Sequence, residues 1–157
     1  MEQPGAEDVD EIEWERGTWN VERRTWKEAE MALAKDVTDL EVYQSAFDLQ
    51  QRVFMLSKTF PAAEKYSLTD QVRRSSRSVG ANVSEAWKKR RYPAHFVSKL
   101  TDADGEQSET CHWLRTAVAS QYMASDEGVA LIDQYGHVSG ILNKMMRDAA
   151  SWCSHYA

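Results

Sequence analysis

The sequence predicts an all-α protein, an antiparallel up-down-up-down four-helix bundle preceded by an acidic N-terminal extension. Three observations lead there. Four stretches after Thr38 repeat apolar residues at three- and four-residue steps, the period of a helix with one face toward a core. The 157 residues include only 7 Gly and 3 Pro and lack the regularly spaced turn dipeptides of a sandwich or barrel. The links between the periodic stretches are short, which makes neighbouring helices run in opposite directions.

Residues 1–35 hold ten acids and five bases, so they carry −5 of the chain's −6 and leave the remainder near neutral. That shift sets a boundary near Lys35: residues 1–35 form an extension, partly disordered or short-helical, and residues 36–157 form the bundle. Trp14, Trp19 and Trp26 mark the extension as a segment that docks, either on its own domain or on a protein partner. The first helix covers about 40–59. Thr38 and Glu41 have capping-box spacing, and Leu40, Phe47, Val53 or Phe54, and Leu56 form its stripe until Pro61 stops it. The second is capped by Ser67 or Thr69 and reaches about Arg91, with Leu68, Val72, Ser75, Ser76, Val79, Val83 and Ala86 inward. Pro93 suits the first turn of the third, whose seam of Phe96, Leu100, Ala103, Gln107, Thr110, Leu114 and Val118 continues to about Met123. Ser125 caps the fourth, with Ile132, Tyr135, Val138, Leu142, Met145, Ala149 and Trp152 inward. Helices this long make a slender bundle and leave Trp87, Trp113, Ile141 and Met146 outside the seams, as surface for a subunit interface.

The basic residues are concentrated. From Arg73 to Arg91 lie Arg73, Arg74, Arg77, Lys88, Lys89, Arg90 and Arg91 against Glu85 alone, +6 within an acidic chain. At about 100° per residue, Arg73, Arg77, Lys88 and Arg91 fall within about 60° of one another, opposite Val72, Val79 and Val83, along about 27 Å of axis. These seven are the candidate nucleic-acid-binding residues, for RNA or DNA, with Trp87 and Tyr92 beside them as stacking groups. The competing account is a solvated face neutralised by the acidic extension or by a neighbouring subunit, and the net charge of −6 opposes long-range attraction to nucleic acid.

Chemistry is harder to place. Glu109-Thr110-Cys111-His112 is one Glu-x-x-His, whereas a di-iron bundle needs two copies and two further inward Glu residues. The histidines are dispersed, no nucleophile–base order can be built, and there is no phosphate-binding Gly-rich loop. Cys111 and Cys153 read as core or interface thiols. No catalytic residue, metal or cofactor is expected. Glu109 has a structural explanation instead: with the turn between helices two and three centred near Tyr92, facing residues have numbers summing to about 184, which sets Glu109 level with Arg74 and Ser75. A pair between Arg74 and Glu109 follows, with Arg73 the alternative partner, and Gly105 falls beside Val79 and Gly80 where small residues would permit close approach. The acidic start lacks the parts of a signal peptide and no apolar run approaches the roughly 18 residues of a membrane span, so a cytoplasmic protein with no membrane contact is expected.

With helices two and three placed, particular residues resemble a known family: the four-helix bundle proteins encoded in intervening sequences of bacterial 23S rRNA genes, related to the accessory variability determinant of diversity-generating retroelements. Asp39 to Ala46 resembles its opening, and Phe60-Pro61 followed by Glu64 to Ser75 resembles its most recognisable stretch. Ser78, Asn82, Val83 and Glu85 are similar to a Ser-x-x-x-Asn-(Ile/Val)-x-Glu pattern, and Ala103, Gly105 and Glu109 to Ala-x-Gly-x-x-x-Glu. Gly80 stands where the family has proline, and Ala86 where it has glycine. The likeness covers about 39–155. It implies a homo-oligomer, often a pentamer, without known catalysis, and in the retroelement relatives binding to nucleic acid and a reverse transcriptase.

The sequence therefore reads as a non-enzymatic, homo-oligomeric adaptor that binds nucleic acid through helix two and assists a reverse transcriptase or other nucleic-acid enzyme, or alternatively as a protein-binding scaffold. Light scattering at micromolar concentration should give a mass that is a multiple of the 18.0 kDa chain. A mass of one chain would overturn the oligomer.

Overall fold

The protein is seen in a computed structural model that describes residues 34–154. All regular structure in this range is helical. The four long helices are α1 (Glu41–Ser57), α2 (Asp70–Lys88), α3 (Pro93–Ala119) and α4 (Ser125–Arg147), and a short α5 (Ala149–Ser154) follows. Contacts between neighbours rise in number on one helix and fall on the next: Tyr43 approaches Gly80 and Ser57 meets Arg73 across α1 and α2, while Glu85 meets Lys99 and Ser75 meets Thr110 across α2 and α3. Antiparallel neighbours require that order.

The entry to α1 differs from the expected capping box. A 3₁₀ turn, Val37–Asp39, precedes it, and its box is Asp36 with Asp39. The Val37 N–H donates to Asp36 Oδ1 at 2.8 Å, and the Asp36 and Lys35 N–H groups donate to Asp39 Oδ2 at 3.0 and 2.8 Å. Those donors, Asp36 foremost, hold the Asp39 carboxyl below its ordinary range. Leu40, extended and fully buried, leads into α1 with no side-chain cap. Leu40 and Val53 are buried as expected, with Val42, Ala46 and Leu49 between them, while Leu56 is half-buried and Phe47 lies outward, stacked on Tyr43 with ring centroids 6.2 Å apart.

Between Pro61 and α2 the backbone is neither loop nor simple cap. A 3₁₀ turn, Ala62–Glu64, runs into a π-helical turn, Lys65–Thr69, continuous with α2. Ser67 therefore does not cap a helix; its hydroxyl donates to Glu64 Oε2, while Glu64 Oε1 accepts from Tyr122 Oη at 3.0 Å. Tyr122 belongs to the link between α3 and α4, so the two links at this end of the bundle are tied. That second link turns at Gln121, whose φ of 61° lies in the left-handed region, and the Tyr122 N–H closes α3 on the Ala117 carbonyl.

The inward positions of α2 are mostly small: Val72, Ser75, Ser76, Val79, Gly80, Val83 and Ala86 are all buried. Small side chains let α2 approach closely, and the α2–α3 contact is the most extensive in the bundle. Phe96, Leu100, Leu114, Leu131 and Leu142 are fully buried from α3 and α4, each contributing about 1.5–3 kcal/mol through burial. On α4 the inward residue is Leu131, with Ile132 half-buried, and the helix breaks at Asp148 before α5 instead of running through to Trp152. The α1–α4 contact is the thinnest of the four adjacent pairs.

Two expectations about surface fail. Trp87, assigned to a subunit interface, is 3% exposed and belongs to the core, while Trp113, Ile141 and Met146 are half-buried. Gly105 was expected to allow close approach of α2 and α3, yet a Cβ there would meet no atom within 4 Å; the crowded glycine is Gly128, where a Cβ would collide with Val118. Gly105→Ala should therefore raise stability by about 0.5–1 kcal/mol through helix propensity, whereas Gly128→Ala should lower it by about 1–3 kcal/mol through overpacking. Thermal melts of the two variants check this, and equal shifts would contradict it.

Candidate nucleic-acid interface

The face of α2 turned from the core is built from positions four and three apart. Asp70, Arg73, Arg74, Arg77, Ser78 and Ala81 line an open depression of about 510 Å³. Because the inward positions are filled by small and β-branched residues, the long cationic side chains have only the outer face to occupy.

At its α1 edge the cations gather on Phe54. The Arg73 guanidinium carbon lies 4.9 Å from the ring centroid, that of Arg77 5.4 Å, and Lys58 Nζ 4.8 Å. Arg73 Nε also donates to Ser57 Oγ at 2.7 Å, which fixes its direction. Three cations around one ring repel one another and are held by cation–π attraction and, for Arg73, by the bond to Ser57. Phe54 was expected only as an alternative inward residue of the first helix, and Ser57 and Lys58 carry no sequence signal for this face, because periodicity within α2 says nothing of which side chains of its neighbour meet it.

Arg74 points to α3. Its Nη2 donates to Gln71 Oε1 at 3.0 Å and lies 3.9 Å from Glu109 Oε1, with side-chain exposures of 70% and 37%. Glu109 accepts a closer bond, 3.1 Å, from Trp113 Nε1. What lies buried at this level is the hydroxyl pair of Ser75 and Thr110, 2.9 Å apart. Further along, Lys99 sits 2.9 Å from Glu85 and 3.5 Å from Asp102. Its hydrogen bond holds the Glu85 carboxyl below the ordinary range, and Glu85 in turn raises Lys99. Glu85 is thus already paired, and with a residue outside the basic run.

The continuous stripe is corrected. α2 ends at Lys88, so Lys89, Arg90 and Arg91 lie in the turn to α3 and Arg91 shares no helical face with Arg73. Arg73 and Arg77 form one cluster, and Lys88, Lys89, Arg90 and Arg91 a second, which begins about 16 Å further along the axis by the helical rise from 77 to 88. Arg90 lies flat on Trp87, 3.2 Å from ring centroid to guanidinium carbon, with Nε donating to the Trp87 carbonyl at 2.8 Å. Trp87 is thereby a buried support and not a stacking surface, while Tyr92 is 57% exposed. Among the described residues, no carboxylate lies within ion-pair distance of Lys58, Arg73, Arg77, Lys88, Lys89 or Arg91.

His112 is exposed and meets Trp113 edge-on at 4.8 Å, and the described residues hold no group of three His, Cys, Asp or Glu able to bind a metal. Cys111 and Cys153 are free thiols, both pushed above their ordinary range by burial. No helix among the described residues is long and apolar enough to cross a membrane. Trp14, Trp19 and Trp26 lie outside the described residues.

Against known proteins, the family model described as 23S rRNA-intervening sequence protein matches residues 38–144. A crystal structure of a protein with unknown function from the S23 ribosomal protein family of Bacteroides thetaiotaomicron is similar in fold, with a TM-score of 0.61 and 24% identity, covering 68% of this chain and 95% of that one. No curated protein matches.

The exposure of Arg74 and Glu109 decides the effect of removing their pair. Glu109→Ala should destabilise by less than about 1 kcal/mol, the range of surface ion pairs, well below the several kcal/mol of a broken buried pair. Urea denaturation checks it; a loss above about 3 kcal/mol would show that the pair carries the α2–α3 contact.

Proposed function

This chain belongs to the 23S rRNA-intervening sequence protein family, and on that premise we propose that it is a non-catalytic, oligomeric adaptor that binds nucleic acid phosphates along the outer face of α2, presenting the strand to a reverse transcriptase or other nucleic-acid enzyme. The observation that carries it is the set of six cations on and beside α2 without a carboxylate partner. Residues 58–91 carry nine cations and three acids, +6 in a chain of −6. Charge held so locally against the net sign is unfavourable by self-repulsion, and phosphates relieve it. The contacts available are guanidinium and ammonium groups on a helix surface, which position a backbone without reading base edges, so dependence on base identity should be small.

A salt titration tests it. Engaging about three phosphates per subunit gives a log–log slope of about −2 to −3. Exchanging the exposed Arg77, Lys88, Lys89 and Arg91 for Glu, and leaving Arg73 with its packing on Ser57 and Phe54 intact, should abolish binding of a fluorescent single-stranded RNA and of a duplex DNA at low salt. Equal binding by wild type and variant, or none by either, would replace the nucleic-acid assignment by that of a protein-binding scaffold.

A further inference from the structure

We propose that the strand bound by α2 is single-stranded, stacked at the two ends of the helix on Tyr66 and Tyr92. The inference rests on the assignment of this face to phosphates and adds the kind of strand it takes.

Tyr66 is 73% exposed, the most open of the large apolar side chains among the described residues. It is carried by the π-helical turn Lys65–Thr69, and Lys65 Nζ stands 5.1 Å from its ring centroid. A π-helical turn advances more than four residues per revolution, so residue 66 falls nearly in line with residue 70. Tyr66 thus precedes Asp70, Arg73, Arg74 and Arg77 on the open face, where Asp70 is the one carboxylate lining the depression. At the other end, Tyr92 is the extended residue that opens α3, directly after Lys88-Lys89-Arg90-Arg91. Its ring is tilted 49° to His95, with centroids 5.4 Å apart, which holds it away from the core. Each end of α2 therefore offers an aromatic ring to solvent beside cations without a carboxylate in ion-pair distance among the described residues, Arg73 and Arg77 at one end and Lys88, Lys89 and Arg91 at the other.

Cations alone would suffice for a duplex, whose outer surface is phosphate and sugar and whose bases are stacked on one another. An exposed ring gains nothing there. An unpaired base has a free π-face, and stacking on tyrosine beside a cationic groove is how sequence-tolerant single-strand binding is built. The rings also set a length. From 66 to 92 the helical rise gives at most about 39 Å, which at about 3.4 Å per stacked nucleotide is about 11 nucleotides.

Fluorescence anisotropy at fixed low salt with labelled oligouridylates of 6, 11 and 22 nucleotides, and with a 22-base-pair RNA duplex, tests this on the full chain. Wild type should prefer the single strand and tighten up to about 11 nucleotides per site. Tyr66→Ala and Tyr92→Ala should each weaken single-strand binding by about 5- to 100-fold, leave duplex binding and the salt slope unchanged, and be rescued by Tyr→Phe. Both rings are exposed, and circular dichroism verifies that each variant is folded. If the alanine variants bind the single strand as wild type does, or the duplex binds as well as the single strand, the single-strand assignment falls while the basic-face assignment stands. If wild type binds none of these probes, both fall.

Discussion

The register between α2 and α3 is the constraint on which the rest of the bundle depends, and a buried pair of hydroxyls and the Glu85–Lys99 ion pair both belong to it. Ser75 and Thr110, each at 0% exposure, lie 2.9 Å apart in the most extensive helix–helix contact of the molecule. A slip of one turn would lose that shared bond, about 0.5–1.5 kcal/mol net, while each hydroxyl keeps a carbonyl of its own helix, Thr110 Oγ1 that of Glu106 at 2.8 Å and Ser75 Oγ that of Val72 at 3.4 Å. The neighbouring contacts agree with that register: Arg74 falls opposite Glu109, and Glu85 opposite Lys99. Apolar burial drives the association of the helices, and these polar pairs favour one alignment of it.

From that alignment the character of the outer face follows. Lys99 takes up Glu85, and Glu109 reaches only Arg74, at 3.9 Å. The one acid of the basic run is thus taken up by a cation of α3, and Glu109 of α3 meets Arg74 at the outer limit of an ion pair. On the other side α1 contributes Phe54, Ser57 and Lys58, an aromatic ring, a hydroxyl and another cation, but no carboxylate. The basic character of this region comes from how its neighbours dispose of their charges as much as from its own sequence.

Much of this was legible in the sequence, for identifiable reasons. The inward residues of α2 and α3 follow a simple period over five or more turns, and the antiparallel rule around Tyr92 set Glu109 level with Arg74; the Ser75–Thr110 and Glu85–Lys99 pairs, which that reading did not single out, obey the same sum to within one residue. The failures sit where local backbone geometry leaves the ideal helix. Asp36 and Asp39 take the capping box from Thr38 and Glu41 because a 3₁₀ turn precedes α1, and Val42, Ala46 and Leu49 fill the inward positions between Leu40 and Val53, which leaves Phe47 outward. The π-helical turn at Lys65–Thr69 advances the chain by more residues per turn than a capped α-helix would, and nothing in residue type announces it. Projecting α2 to Arg91 at a constant angle joined two cation clusters that the turn after Lys88 separates, and the same projection put Trp87 outside when it is core. Gly105 fits a spacing associated with close packing but is open to solvent, since one sequence cannot say which glycine of a helix meets a neighbour.

The break at Asp148 divides the molecule into parts that need not unfold together. At six residues, α5 is far too short to persist as an isolated helix, so its order derives from burial of Ala149 and Trp152 against the bundle and from the Ser151 and Trp152 N–H groups donating to the Asp148 carbonyl. Trp152 Nε1 is buried without a hydrogen-bond partner, which lowers what docking gains. Detachment of α5 gives that N–H to water while the four long helices retain their seams, so the C-terminal turn constitutes a cooperative unit of its own, opening at a free energy below that of the global transition. In amide exchange its protons would form a fast class distinct from the slow core of α2 and α3, and the Trp152 indole would sense the opening before any long helix melts.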